Sequence, residues 1–344
     1  LSASRKGSLA QDLMTVDLHF ANRRVETHKQ VLRLAKNDRI AVDSQFGSIA
    51  ATGRVFMIFR TPARWVFALL IGVSLVLASF LAIVRGQTQP FRWAVYYGDA
   101  LSSDAFDAFD MVVFDSDKHP DLAPIQARKG LTVGYLSLGE VHRTRSYFAE
   151  VEREGILVYE NPTWPGAFAV DVRDKRWRQR VLDELVPAIL ARGFQGVFLD
   201  TIDTATDLER RDRARFAGAT LATIDLVRAI KRRYPQAVVV LNRGYDILPA
   251  VEGAIDMVLA ESLVTAWDFS NALPRLANDD QHRGETAVLK AAAQRNPKLR
   301  LLALEYWPPE DAAKLREIYA KVRDLGFAPY VATVELDRVV PEPR

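Results

Sequence analysis

Between Trp93 and Thr333 one pattern recurs eight times: a short apolar run, a polar residue at or just past its end, and a stretch that leads on to the next run. Strands alternating with helices imply an α/β fold with a parallel sheet. Eight such units in about 250 residues match the usual size of a (β/α)8, or TIM, barrel. The runs are Trp93–Tyr97, Met111–Phe114, Leu131–Leu136, Val197–Leu199, Ala237–Leu241, Met257–Ala260, Arg300–Leu304 and Ala328–Thr333. An extra strand is expected at Phe168–Val172, and helices over 175–192, 209–233, 283–294 and 310–325. A doubly wound open sheet is the alternative, but no Gly-x-Gly-x-x-Gly turn follows the first run.

The central unit is Gly193-Phe-Gln-Gly-Val-Phe-Leu-Asp200-Thr-Ile-Asp203. A helix stopped by glycine gives way to a wholly apolar strand, as expected where both faces of a sheet are covered. Carboxylates stand directly after it, at the end where α/β folds place their chemistry. The plain alternative is that Asp200 or Thr201 only caps the following helix.

In a barrel, all the strand ends open onto one face. That face gathers Tyr97, Asp115, Glu140, Asp200, Asp203, Asn242, Arg243, Glu261, Glu305, Tyr306 and Trp307. None of the five histidines ends a strand, which speaks against a His-rich zinc site. A serine triad lacks both its Gly-x-Ser-x-Gly elbow and a placed histidine. A divalent ion on Asp200 and Asp203 stays as an alternative, although no metal or cofactor is expected. Carboxylate pairs beside aromatic rings suit glycosidic cleavage, where one acid protonates the leaving oxygen and the other attacks or activates water. Trp164, Trp267 and Trp307 offer faces that would stack on sugar rings, although a lone Trp is more often a packing residue.

Charge divides the chain. Residues 1–64 carry 11 Lys/Arg against 5 Asp/Glu, whereas residues 85–344 carry 35 against 38. The net +3 therefore belongs to the front of the chain, and the large remainder offers no basic footprint for nucleic acid. Trp65–Val84 is twenty residues without a charge, about the length that spans a bilayer core. Arginines precede it at 54, 60 and 64, which predicts a cytoplasmic N-terminus and an exported large domain on the periplasmic or extracellular face. An uncleaved signal anchor is favoured over a cleaved signal peptide, with membrane contact through 65–84. The chain divides into a basic segment (1–64), this anchor (65–84), a linker (85–92), the barrel (93–336) and a tail (337–344). Met57 would open a more ordinary export segment, so 1–56 is expected to lie outside the working protein. With no cysteine, there can be no disulfide or thiolate site.

Several motifs carry a resemblance. Tyr135-Leu-Ser-Leu-Gly-Glu140 with Arg145-x-Tyr147, Trp164, Ala169-Val-Asp171, the 193–203 segment, Asn242-Arg-Gly244 and Glu261-Ser262 together resemble the glycoside-hydrolase 114 type of barrel, the endo-α-1,4-polygalactosaminidase-like proteins. The resemblance covers about 91–336. It implies an exported endo-glycosidase that cleaves α-linked, galactosamine-rich polysaccharide, with Asp200 and Glu261 as the catalytic pair and retention of configuration. By analogy with other barrels cleaving α-glycosides, Asp200 is the nucleophile and Glu261 the acid/base. Tyr97, Asp115, Glu140, Arg145, Asp203, Asn242, Trp267, Glu305 and Tyr306 are expected to hold substrate or tune the pair. Gln195, where an acidic residue is frequent, and His142 depart from commoner family forms. The alternative is a non-catalytic carbohydrate-binding barrel of the cell envelope. A structural protein would be indicated instead if the carboxylates were all paired off with Arg143, Arg145 or Arg243.

Overall fold

Strands form where apolar β-branched and aromatic residues run together. In chain order they are β1 (Trp93–Tyr96), β2 (Met111–Phe114), β3 (Leu131–Ser137), β4 (Glu140–His142), β5 (Leu157–Glu160), β6 (Ala167–Val170), β7 (Gly196–Asp200), β8 (Val238–Asn242), β9 (Met257–Glu261), β10 (Thr265–Asp268), β11 (Leu273–Leu276), β12 (Arg300–Tyr306) and β13 (Ala328–Ala332). This is a computed structural model that describes residues 90–343 except 269, 270, 272 and 278. The expected anchor at 65–84 and the basic segment before it lie outside the described residues. Among the described residues, no helix is long and apolar enough to cross a membrane.

Eight strands make one sheet in the order β1-β2-β3-β7-β8-β9-β12-β13, and every ladder in it is parallel. Parallel neighbours joined through helices wind the sheet into the expected barrel. β1 and β2 are buried at every position, as strands covered on both faces must be. Among the described residues no ladder joins β13 to β1. Side chains make that seam instead: the Trp93 indole donates to the Ala328 carbonyl at 2.9 Å, and its ring meets Tyr330 at 5.8 Å between centroids. Just beyond it, Tyr97 N–H donates to the Leu336 carbonyl at 2.8 Å.

The excursion between β3 and β7 carries a small antiparallel sheet, β4-β6-β5, which includes the anticipated extra strand. The helix that follows runs through 175–191 with a wide π turn at Val181–Leu185. Pro187 lacks the N–H that a regular helix would need at this point, and the wide turn accommodates it. The single helix expected over 209–233 is instead three: Asp203–Arg211, Arg213–Phe216 and Ala219–Arg233. Gly218 (φ +84) breaks the run in a left-handed conformation, and Asp212 caps the short middle piece by accepting from Arg215 N–H. A hairpin, β10-β11, was not anticipated; it follows β9 on the side of the barrel where the strands end.

Candidate active site

Three consecutive barrel strands, β7, β8 and β9, end in Asp200, Asn242 and Glu261. Each is followed by a residue with a side chain in the left-handed region: Thr201 (φ +57), Arg243 (φ +58) and Ser262 (φ +66). Non-glycine residues rarely adopt this conformation, and such outliers gather where the surroundings hold a functional geometry. The peptide turns sharply away after each strand, so the terminal side chain stays with the strand. After Asp200 the turn is fixed by further contacts. The Thr201 hydroxyl donates to the Asp200 carbonyl at 2.7 Å and accepts from Gly139 N–H at 2.8 Å. A Cβ on Gly139 would lie 2.2 Å from the Thr201 carbonyl oxygen, so only glycine permits this approach.

The Asn242 amide joins the two carboxylates. Its nitrogen donates to Asp200 Oδ1 at 2.8 Å and to Glu261 Oε2 at 3.3 Å. Two oxygens that share one nitrogen at those lengths are no more than about 6 Å apart. The remaining oxygens take phenols: Tyr135 donates to Asp200 Oδ2 at 2.8 Å, and Tyr306 to Glu261 Oε1 at 2.5 Å. Burial first, and the adjacent carboxylate next, push both phenols well above their usual range, so they keep the protons they donate. Tyr97 stands edge-on to Tyr135 at 5.3 Å; burial, then Asp200, Glu261 and Asp115, raises its phenol likewise. Asn242 is buried, and its Oδ1 has no partner among the described residues.

The flanking carboxylates are held differently. Arg145 clamps Asp115 through two nitrogens, at 2.7 and 3.1 Å, and reaches Asp117 at 2.6 Å while lying over the Tyr135 ring. Burial of Asp115 is outweighed by Arg145, which leaves its carboxyl below the ordinary value. Asp203, in the first turn of its helix, pairs with Arg243 Nε at 3.0 Å rather than with Asp200. Glu140 is buried and accepts from Asn161 Nδ2 at 3.0 and 3.3 Å and from Thr204 at 3.2 Å. Burial raises its carboxyl, and Asp200 adds to the rise. No cation is bonded to Asp200 or Glu261 in the described structure; both are half-buried and meet only neutral donors. The closed ion-pair cluster that would indicate a structural protein is therefore confined to the flanks. Among the described residues, no group of three or more acidic or histidine side chains is arranged to hold a metal ion.

Some expected residues are elsewhere. Glu305, expected to touch substrate, is fully buried, and both its oxygens accept from the 263–265 segment. β12 runs to Tyr306, two residues further than anticipated, so Glu305 lies within the strand. Tyr306 in turn bonds Glu261 directly. Trp267 is half-buried on β10, opposite Pro274, and packs against the core. Gln195 lies at the opposite end of the barrel, where Oε1 accepts from Thr132 N–H at 3.0 Å, so its departure from the commoner family form touches packing rather than the site. Tyr135 was not among the expected site residues. The signal for it was a polar-tipped ring two residues before the polar end of the strand.

The sequence profile of glycoside-hydrolase family GH114 matches residues 80–344. The glycoside hydrolase domain of PelA from Pseudomonas aeruginosa is similar in structure, with a TM-score of 0.65 and 23% identity over 74% of this chain and 99% of that one. Ega3 from Aspergillus fumigatus, in a complex with galactosamine, gives 0.54 and 17% over 74% and 97%. At these identities the likenesses speak to the barrel fold. An uncharacterized protein of Deinococcus radiodurans is 26% identical over 243 residues, 67% of this chain and 75% of its own length.

Proposed function

The chain belongs to glycoside-hydrolase family GH114, and from that premise we propose that it cleaves internal α-linkages of galactosamine-rich polysaccharide with retention of configuration. The observation that carries this reading is the carboxylate pair bridged by one amide nitrogen. The shared nitrogen keeps the facing oxygens within about 6 Å, which supports a pair as close as the roughly 5–5.5 Å between the carboxyl groups of retaining enzymes.

Asp200 is the nucleophile in this proposal. It ends the fourth barrel strand, and Tyr135 and Asn242 each hold one of its oxygens at 2.8 Å, which fixes where the carboxylate stands. Glu261, at the end of the sixth, is the acid/base. It protonates the glycosidic oxygen as Asp200 closes on the anomeric carbon and forms a glycosyl ester. It then takes a proton from the water that opens the ester. Tyr135, Asn242 and Tyr306 hold the two acids in register, while Tyr97, Glu140 and the Asp115–Arg145 pair border the sugar. The galactosamine bound to Ega3 and the family membership support the choice of polymer. Export, with the barrel outside the cytoplasmic membrane, is supported by the uncharged run 65–84 and the arginines before it.

The test is incubation of the full chain with partly deacetylated poly-N-acetylgalactosamine, followed by reducing-end assay and mass spectrometry. Asp200→Asn and Glu261→Gln should each lower product release by about ten-thousand-fold or more while leaving the fold intact. Full activity in either variant defeats the assignment. Saturable binding with no new reducing ends in the unsubstituted protein would point to a carbohydrate-binding barrel.

A further inference from the structure

Four successive amides after Glu261 are tied to the end of β12. Ser262 N–H donates to the Leu304 carbonyl at 2.8 Å, which extends the β9–β12 ladder by one step. The next three converge on one side chain. Glu305 Oε1 accepts from Leu263 N–H at 2.9 Å and Val264 N–H at 3.2 Å. Oε2 accepts from Val264 N–H at 3.2 Å and Thr265 N–H at 2.9 Å, and from the Thr265 hydroxyl at 2.7 Å. The Thr265 oxygen itself accepts from Tyr306 N–H at 3.2 Å. Glu305 is fully buried, and among the described residues each of its partners is a donor. A carboxylate with no exposure and no cation beside it is a costly group to keep in a barrel wall. Apolar residues would fill the same place more cheaply, unless the segment it gathers must be held in one position.

That segment adjoins the acid/base. Glu261 is followed by the left-handed Ser262, and then by the three residues whose amides Glu305 collects. On its other side, Glu261 takes the hydroxyl of Tyr306, the residue directly after Glu305. We propose that Glu305 is the positioning residue for Glu261. It fixes the backbone that leaves Glu261 in its turn and, through Thr265, the strand end that carries Tyr306. The inference rests on Glu261 being the proton donor of the proposed reaction. Glu305 touches no reacting atom. Its effect passes through where the Glu261 carboxyl stands relative to the leaving oxygen, and placement of a general acid decides its efficiency.

A leaving group that needs no proton provides the test. The full chain and its Glu305→Gln, Thr265→Val and Glu261→Gln variants are compared on partly deacetylated poly-N-acetylgalactosamine and on a nitrophenyl glycoside of an α-linked galactosamine oligomer. Gln at 305 sets an NH2 group against donors, whereas Val at 265 removes only the hydroxyl link. Glu305→Gln should lower kcat/KM on the polymer by about 10- to 100-fold, and on the nitrophenyl substrate by no more than a few-fold. Thr265→Val should show the same selectivity at smaller size, which keeps the test available if the Gln variant folds poorly. Amide exchange of 262–265 should quicken in both variants. Equal losses on the two substrates, or unchanged kcat/KM on the polymer, overturn the inference if Glu261→Gln does show the selectivity. If Glu261→Gln lacks it, the acid/base assignment itself is wrong. If the chain cleaves neither substrate, unchanged exchange of 262–265 overturns the anchoring role.

Discussion

The two ends of the barrel handle polar groups in opposite ways. At the N-terminal end they satisfy one another. Gln126 Nε2 donates to the Thr132 hydroxyl and the Gly193 carbonyl, both at 2.7 Å, and Thr132 N–H donates to Gln195. Asp256 Oδ2 accepts from Val239 N–H and from Lys231, both at 2.8 Å. At the C-terminal end, three strands are each followed by a left-handed residue, and among the described residues a buried amide oxygen has no partner and two neighbouring carboxylates are hydrogen-bonded to no cation. Each left-handed residue costs of order 1–3 kcal/mol and persists only because its surroundings hold it. One end of the barrel supplies stability, and the other holds charge and strain where a transition state can use them.

Substitutions at each end should separate these roles. Asn242→Ala removes the amide shared by both acids. The loss of one preorganised donor should lower kcat by roughly 100- to 1000-fold, with only a small change in melting temperature; a kcat within threefold of the parent would remove Asn242 from the machinery. Next in size is a pH effect at Glu305. Burial outweighs its hydrogen bonds and raises its carboxyl to about 7 from an ordinary 4.5. Between those values the folded chain keeps a proton that the unfolded chain has released. This contribution to stability is complete below pH 4.5 and is lost as pH rises through 7, for about 3 kcal/mol in all. The melting-temperature advantage of the parent over Glu305→Gln should therefore shrink as pH rises from about 5 to about 8; a gap constant across that range contradicts it. The smallest effect belongs to the N-terminal end. Asp256→Ala should cost about 1–2 kcal/mol of stability and leave kcat unchanged, as read by denaturant unfolding beside a reducing-end assay. A fall in kcat would mean that the two ends are coupled.

Much of this contrast was visible in the residues alone. The eight barrel strands sit within a few positions of their apolar runs, because a strand covered on both faces leaves a continuous apolar signature. Asp200, Asn242 and Glu261 announced themselves as polar groups ending such runs. Partnerships across strands were less accessible. That Tyr135 bonds Asp200 depends on β3 lying beside β7, with Tyr135 opposite Phe198. The fate of Glu305 turned on where β12 stops: within the strand its side chain is buried, whereas past the strand end it would stand at the open face. The break at Gly218 was missed because helical periodicity continues on both sides of it. Hairpin β10-β11 carries charged and proline residues that mask its alternation.

The joint between the last and first strands has a mechanical consequence. Seven neighbouring pairs in the sheet are zipped by ladders, but the eighth is riveted by an indole, a ring contact and one main-chain bond beyond the strand. If the chain is tethered through the residues before Trp93, any pull arrives at this rivet first. A hoop with one weak joint opens there and lies flat before any other strand is torn out, and Asp200 and Glu261, three to five strands along, would be spared the earliest damage.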